Sequence, residues 1–172
     1  IRDWSSDVCS SDLDEIILGL QPASLVIIGA RPAMGKTAFA LNVASNVAQT
    51  SNLPVLVFSL EMSHTELTMR FLSSEAEVDS KRLRTGNISE PEWSKINLAV
   101  GRLDNRLLFL DDNASVTVME IRAKARRLKA KYNGLGLIVI DYLQLMSGNN
   151  SESRQLEVSE ISRNLKILAR EL

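Results

Sequence analysis

Lys36 and Thr37 stand side by side at the end of a small-residue stretch, Ala30 to Gly35, and residues of these types in that order suit the holding of phosphate. In a phosphate loop the lysine ammonium reaches the outer phosphates and the neighbouring hydroxyl ligates Mg²⁺. Nucleotide hydrolysis asks little covalent help of a protein; it needs phosphate charge neutralised and a water aligned for in-line attack. Carboxylates suited to such tasks follow three apolar runs, at Glu61, Asp112 and Asp141. An apolar strand ending in an acid, as Leu137 to Asp141 does, fits a carboxylate that holds a metal-bound water against a dry wall. Glu61 is the candidate to orient or deprotonate the attacking water; the plainer alternative is an acid on the approach to a helix. The general loop pattern expects glycine where this chain has Ala30, with Gly29 one residue too early. Alanine there needs only a backbone conformation open to a side chain, and Pro32 stiffens the loop by fixing φ.

Other chemistries lack their parts. One cysteine, Cys9, and one histidine, His64, do not make a zinc site. No Gly-x-Ser-x-Gly elbow occurs, and a lone histidine argues against a hydrolytic triad. His64 falls inside the capping box Ser63-His64-Thr65-Glu66 and reads as a solvated first-turn residue rather than a ligand or base.

The elements that must position these residues follow from the apolar pattern. Leu25 to Ile28 is a continuous, β-branched-rich run, as expected of a strand buried on both faces of a parallel sheet. The Ala-rich stretch from Thr37 to Ala44 then puts the loop at a helix N-terminus, where free amides and the dipole favour an anion. Val55 to Leu60 reads as a second buried strand, Leu107 to Leu110 as a third and Leu137 to Ile140 as a fourth. Between them lie a capped helix from Ser63 to about Ala76 and a short turn from Asp79 stopped by Gly86. A helix opened by Ser89-Glu90-Pro91-Glu92 carries Trp93, Ile96 and Val100 on one side. The helix capped by Thr117 and Glu120 carries Ile121, Ala125, Leu128 and Tyr132 at helical spacing and ends at Gly134. Its other face bears Arg122, Lys124, Arg126, Arg127, Lys129 and Lys131, which reads as a solvated face or, alternatively, a nucleic-acid or subunit surface. After a polar loop, Ser147 to Ser153, a last helix shows Ile161, Leu165, Leu168 and Leu172 on one face. Strands alternating with helices predict a parallel α/β layer structure, with Lys36, Glu61, Asp112 and Asp141 all at the carboxyl edge of the sheet.

At 172 residues, 45% hydrophobic and 24% charged, the chain has the size and composition of one globular domain. A net charge of −1 provides no global field toward nucleic acid. A single cysteine agrees with a reducing compartment, and no apolar run approaches a bilayer-spanning length, so the reading is a cytoplasmic protein with no membrane segment. Residues 1–11 repeat Ser-Ser-Asp, show no period, and read as a disordered tail or a cloning scar; the domain is taken as residues 12–172.

From about Leu13 to Leu172 the sequence resembles the RecA-like motor domain of DnaB-type replicative DNA helicases. The likeness rests on GLQP (Gly19 to Pro22), ARPAMGKT (Ala30 to Thr37), FSLEM (Phe58 to Met62), RTG (Arg84 to Gly86), IDYLQLM (Ile140 to Met146) and EISRNLKILAREL (Glu160 to Leu172). The family commonly has alanine at the first loop position, which accounts for Ala30. The resemblance implies a RecA-like P-loop NTPase fold, mostly parallel and incomplete at its C-terminus. It implies ATP bound along Ala30, Arg31, Pro32, Ala33, Met34, Gly35, Lys36, Thr37 and Ala38, with Mg²⁺ at Thr37 and Asp141, and Lys36 and Glu61 as the catalytic pair. Gln144 lies in a matching motif without a defined role. A homo-hexamer translocating 5′ to 3′ on single-stranded DNA, with primase and a helicase loader as partners at the replisome, is the implied assembly. The collar domain, the phosphate-sensing glutamine, the channel loops and the arginine supplied to a neighbour's ATP would lie outside these residues. A RecA-like recombination or regulatory ATPase without unwinding, and a nucleotide-binding piece inactive by itself, are the alternatives.

Overall fold

Val55, Leu56, Val57 and Phe58 are apolar without a break, and all five residues of the strand they form, β1 (Val55–Ser59), are buried. Side chains alternate along a strand, and here each face has its own core: Val55 and Val57 join one apolar cluster, Leu56 and Phe58 the other. Burying Phe58 completely contributes roughly 2–3 kcal/mol. The computed structural model describes residues 19–31, 33–143 and 154–172. The expectations for residues 1–18, for Pro32, for Gln144 and for the loop at 147–153 lie outside the described residues.

Around β1 the elements run α1 (Lys36–Ser51), β1, α2 (His64–Ala76), α3 (Ser80–Thr85), α4 (Glu90–Asp104), β2 (Leu108–Asp111), α5 (Val118–Tyr132), β3 (Leu137–Asp141) and α6 (Arg154–Glu171). The described strands form a parallel sheet in the order β2-β1-β3, with Phe58 opposite Asp111 and Ser59 opposite Asp141. Helices α1 and α2 cover one face through Leu41, Val47, Leu67 and Phe71. Helices α5 and α6 cover the other through Ile121, Ala125, Ile161, Leu165 and Leu168. The predicted α/β fold, parallel and flanked by helices, is therefore the observed one.

The three expected capping boxes are present, at Ser63/Glu66, Ser89/Glu92 and Thr117/Glu120. Glu92 accepts from the Ser89 hydroxyl at 2.6 Å and amide at 2.8 Å, and meets Arg82 at 2.5 Å. The two bonds from Ser89, the hydroxyl's above all, hold its carboxyl below the usual glutamate range. A carboxyl lowered by folding stabilises above its unfolded value of about 4.3 and loses that contribution as pH falls through the folded value. Glu92→Gln should therefore lower the melting temperature at neutral pH and make the fall in stability below about pH 4 shallower. Parallel acid limbs in thermal melts of the two proteins would remove Glu92 from the acid response.

Three expectations need correction. Leu25 to Ile28 forms no strand: no ladder bonds join it to the sheet, and Val26, Ile27 and Ile28 are 50%, 69% and 46% exposed. Leu25 alone packs on the α5/α6 side, and the segment before it is held by Lys166, whose Nζ donates to the Ala23 carbonyl at 3.0 Å. An apolar run states a demand for burial; a ladder also needs a partner edge in register. On α4 the buried positions are Ile96 and Ala99, while Trp93 and Val100 are exposed, because α4 packs on α2 and α3 rather than on the sheet. The left-handed residue ending α5 is Asn133, at φ 56°, rather than Gly134. Gly134 instead admits the Leu53 side chain, which would lie 2.7 Å from any Cβ there.

The basic face of α5 is largely engaged within the chain. Arg122 and Arg126 pair with Glu171, Lys124 pairs with Asp111, and Lys129 donates to the Leu172 carbonyl. Arg127 and Lys131 are the exposed remainder of the stripe that Arg126 shares with them. The solvated-face reading thus holds for part of the stripe, and the rest fastens α5 to α6 and to the end of β2.

Candidate nucleotide-binding site

Two elements converge at the carboxyl edge of the sheet. β3 delivers Asp141 at its last position, and the first turn of α1 delivers Lys36 and Thr37. Lys36 Nζ lies 2.9 Å from Asp141 Oδ1, and the Thr37 hydroxyl donates to Asp141 Oδ2 at 2.6 Å. The Asp141 side chain is only 8% exposed, and a carboxylate so buried requires partners. Lys36 and Thr37 are those partners, one for each oxygen. The Lys36 ammonium also sits 4.5 Å from the centre of the Tyr142 ring, within cation–π range.

The loop that leads into Lys36 is exposed at Ala30, Arg31, Ala33, Met34 and Gly35, and Ala38 beyond it is exposed too. Ala33 and Gly35 take left-handed backbone, at φ 63° and 84°. Gly35 has open space where a Cβ would stand, so its need for glycine is the φ angle. It is also the N-cap of α1, contributes no side-chain cap, and is followed by no acid in the first turn. The intrahelical ladder starts with the Phe39 amide donating to the Gly35 carbonyl at 2.9 Å. The amides before Phe39 are those for which a helix N-terminus has no internal acceptor, and they suit an anion.

Glu61 lies in the turn between β1 and α2. The Leu60 amide donates to the Asp141 carbonyl at 2.7 Å, and the Met62 amide donates to the Ser59 hydroxyl at 3.1 Å. Both ends of the turn are thereby tied, while the Glu61 carboxylate is exposed and has no polar partner among the described residues. Asp112 is not drawn to Lys36. Its Oδ2 accepts from the His64 amide at 2.9 Å and lies 2.9 Å from His64 Nδ1. These bonds, the amide's first, hold the Asp112 carboxyl below the usual aspartate range. His64 is the first residue of α2, with its side chain 66% exposed. Of the four groups expected at the carboxyl edge, then, Lys36 and Asp141 meet, Glu61 is exposed in the turn after β1, and Asp112 serves α2.

Two contributors escape a reading of residue types. Ser59, 1% exposed, is an acceptor that shapes the Glu61 turn; nothing in its type marks it. Tyr142 follows Asp141 in the IDYLQLM stretch, and that adjacency was its one signal.

The donors suit a hard cation. Among the described residues no group of three or more acidic, histidine or cysteine side chains gathers to form a cage. A hydroxyl and one carboxylate, completed by waters and phosphate oxygens, is the donor set that Mg²⁺ accepts, since it dehydrates reluctantly and is held through few protein ligands. Among the described residues no helix is long and apolar enough to cross a membrane.

Known proteins resemble this chain over most of its length. The model of the DnaB-like helicase C terminal domain matches residues 8–172. The replicative DNA helicase DnaB of Geobacillus stearothermophilus is 52% identical over 164 residues, covering 94% of this chain and 36% of that protein. The chain thus spans about a third of the length of this relative, and 18% of the DnaB of Synechocystis sp. (strain ATCC 27184 / PCC 6803 / Kazusa). Among solved structures, a DnaB-like replicative helicase described with its interactions with primase superposes with a TM-score of 0.87 at 34% identity, covering 94% of this chain and 39% of that one. A second solved structure, described as an ATPase domain, superposes with a TM-score of 0.89 at 34% identity, covering 96% of this chain and 59% of that one.

Proposed function

This chain belongs to the DnaB-like helicase C-terminal domain family, and on that footing we propose that it is the ATP-binding core of a replicative DNA helicase motor. The observation that carries the reading is the contact of Lys36 and Thr37 with the buried Asp141 at the sheet's carboxyl edge. Lys36 is held beside the loop by Asp141 and Tyr142, poised to exchange part of that contact for the outer phosphates of ATP. Within the stretch Ala30 to Ala38 the amides from Ala33 to Ala38 face those phosphates in this reading, and the Thr37 hydroxyl and the Asp141 carboxylate hold the metal side. Mg²⁺, when bound, supplies charge neutralisation at the outer phosphates and a fixed geometry for the leaving oxygen. Glu61 orients the attacking water and takes its proton as the new P–O bond forms and the bond to ADP breaks.

In the assembled protein the reading is a homo-hexamer that converts hydrolysis between subunits into 5′ to 3′ movement along single-stranded DNA, working with primase and a loader within the replisome. DNA contact in such a motor is made mainly to the phosphate backbone; with a net charge of −1 on this chain, that contact comes in this reading from local loops or from the assembly.

Metal removal tests the site directly. Binding of a fluorescent ATP analogue to this chain should weaken at least tenfold when EDTA replaces Mg²⁺. Equal affinity in both conditions would withdraw Thr37 and Asp141 as the metal side.

A further inference from the structure

Asp112 is the strand-end carboxylate that the nucleotide site leaves unused, and its contacts are of a different kind from the other helix caps. α2 already has a local cap: the Ser63 amide donates to Glu66 Oε2 at 3.1 Å and the Glu66 amide donates to Ser63 Oγ at 3.3 Å. A local cap fixes where a helix begins but not where that beginning stands relative to the sheet. Asp112 reaches α2 from 48 residues away in sequence, with one oxygen on both the amide and the ring of His64. Asp112 is itself fixed from behind. Its neighbour Asp111 stands opposite Phe58 in the ladder, pairs with Lys124 of α5, and accepts from the Asn113 amide at 3.2 Å.

The consequence falls on the turn between β1 and α2, which contains Glu61. On the β3 side that turn is tied by the Leu60 amide on the Asp141 carbonyl, and within itself by the Met62 amide on Ser59. On the β2 side its exit is tied by Asp112 through His64, three residues after Glu61. Glu61 itself has no polar partner among the described residues to hold it. The direction in which its carboxylate leaves the turn is therefore set by the two ends.

We propose that Asp112 is a positioning residue for Glu61, fixing the entry of α2 against the end of β2 so that the Glu61 carboxylate points at the phosphate edge of the sheet. This rests on the reading of Glu61 as the residue that orients water. A carboxylate suits the position because one oxygen serves two donors while its charge faces the positive end of α2.

The test is a double-mutant cycle on ATP turnover in the complete gene product that carries this sequence, with nucleotide affinity and melting temperature measured alongside. Asp112→Ala should lower kcat about tenfold, as a misplaced catalytic group does, with nucleotide affinity changed less than about twofold. Asp112→Asn keeps an acceptor for the His64 amide and should recover most of that loss. In a Glu61→Gln background Asp112→Ala should cost nothing further, because the group it positions is already disabled. Full kcat in Asp112→Ala, beside a large loss in Glu61→Gln, would overturn the proposal while leaving Glu61 in place. A tenfold loss that persists in the Glu61→Gln background would overturn it as well, since Asp112 would then act by another route. Unchanged turnover in Glu61→Gln alone would instead withdraw the reading on which the proposal stands.

Discussion

Lys36→Ala should reduce the affinity of this chain for ATP with Mg²⁺ by about a hundredfold or more, the equivalent of roughly 3 kcal/mol for removing one partner of a desolvated charge pair. The same change acts on the protein without nucleotide. Lys36 neutralises Asp141, whose side chain is 8% exposed, and truncation leaves that carboxylate with the Thr37 hydroxyl alone. The variant should therefore melt lower as well as bind more weakly. Adding Asp141→Asn to Lys36→Ala separates the two effects, because a neutral amide no longer needs a cation: the double variant should regain much of the lost melting temperature and none of the affinity. Titration with a fluorescent ATP analogue reads the first effect and differential scanning calorimetry the second. Equal nucleotide affinity in Lys36→Ala and the unaltered protein would remove Lys36 from the phosphate site.

Glu61→Gln should have the opposite profile. The substitution keeps the size of the side chain and touches an exposed group without polar partners among the described residues, so stability should stay within about 0.5 kcal/mol. Nucleotide affinity should be retained, because in the proposed site the carboxylate serves the attacking water rather than the phosphates. Turnover should fall by about 10²- to 10⁴-fold, the range associated with loss of a general base. Steady-state ATPase assays of the complete gene product, paired with equilibrium binding of the same preparation, check both halves. Turnover equal to that of the unaltered protein would reassign the water-orienting role.

Local signals in this sequence were the readable ones. The three capping boxes are short patterns whose partners lie three residues apart, so each is specified without reference to the rest of the fold. β1 and β3 were legible as unbroken apolar runs, and the rule that strands of a parallel sheet present their carboxyl ends together put Asp141 at that edge in advance of any distance, whereas Lys36 reaches it from the first turn of α1 and not from a strand of its own. What failed depended on a partner distant in sequence. Leu25 to Ile28 has the composition of a buried strand and lacks a ladder. On α4, Trp93-Ile96-Val100 and Ile96-Ala99-Leu103 have the same spacing; large side chains favoured the first set, and the small Ala99, 0% exposed, marks the second because a close helix contact needs a small residue. The basic face of α5 looked free because Glu171, which pairs with two of its arginines, lies on another helix. Glu61 was found by its place after β1, whereas the tie from Asp112 to His64 joins two elements that no local pattern relates.

The central place of β1 has a consequence for how the chain comes off the ribosome. β1 is made before both of its partners in the sheet, β2 about fifty residues later and β3 about eighty residues later. At about 5–20 residues per second, β1 waits roughly 4–16 s for its second neighbour. Throughout that interval a five-residue stretch that ends up wholly buried, Val55–Ser59, has at least one backbone edge open, both of them until β2 is made, and apolar side chains on both faces. The nascent chain is thus most adhesive between the making of β1 and that of β3, and the emergence of Asp141 both pairs the second edge of β1 and completes the partner of Lys36.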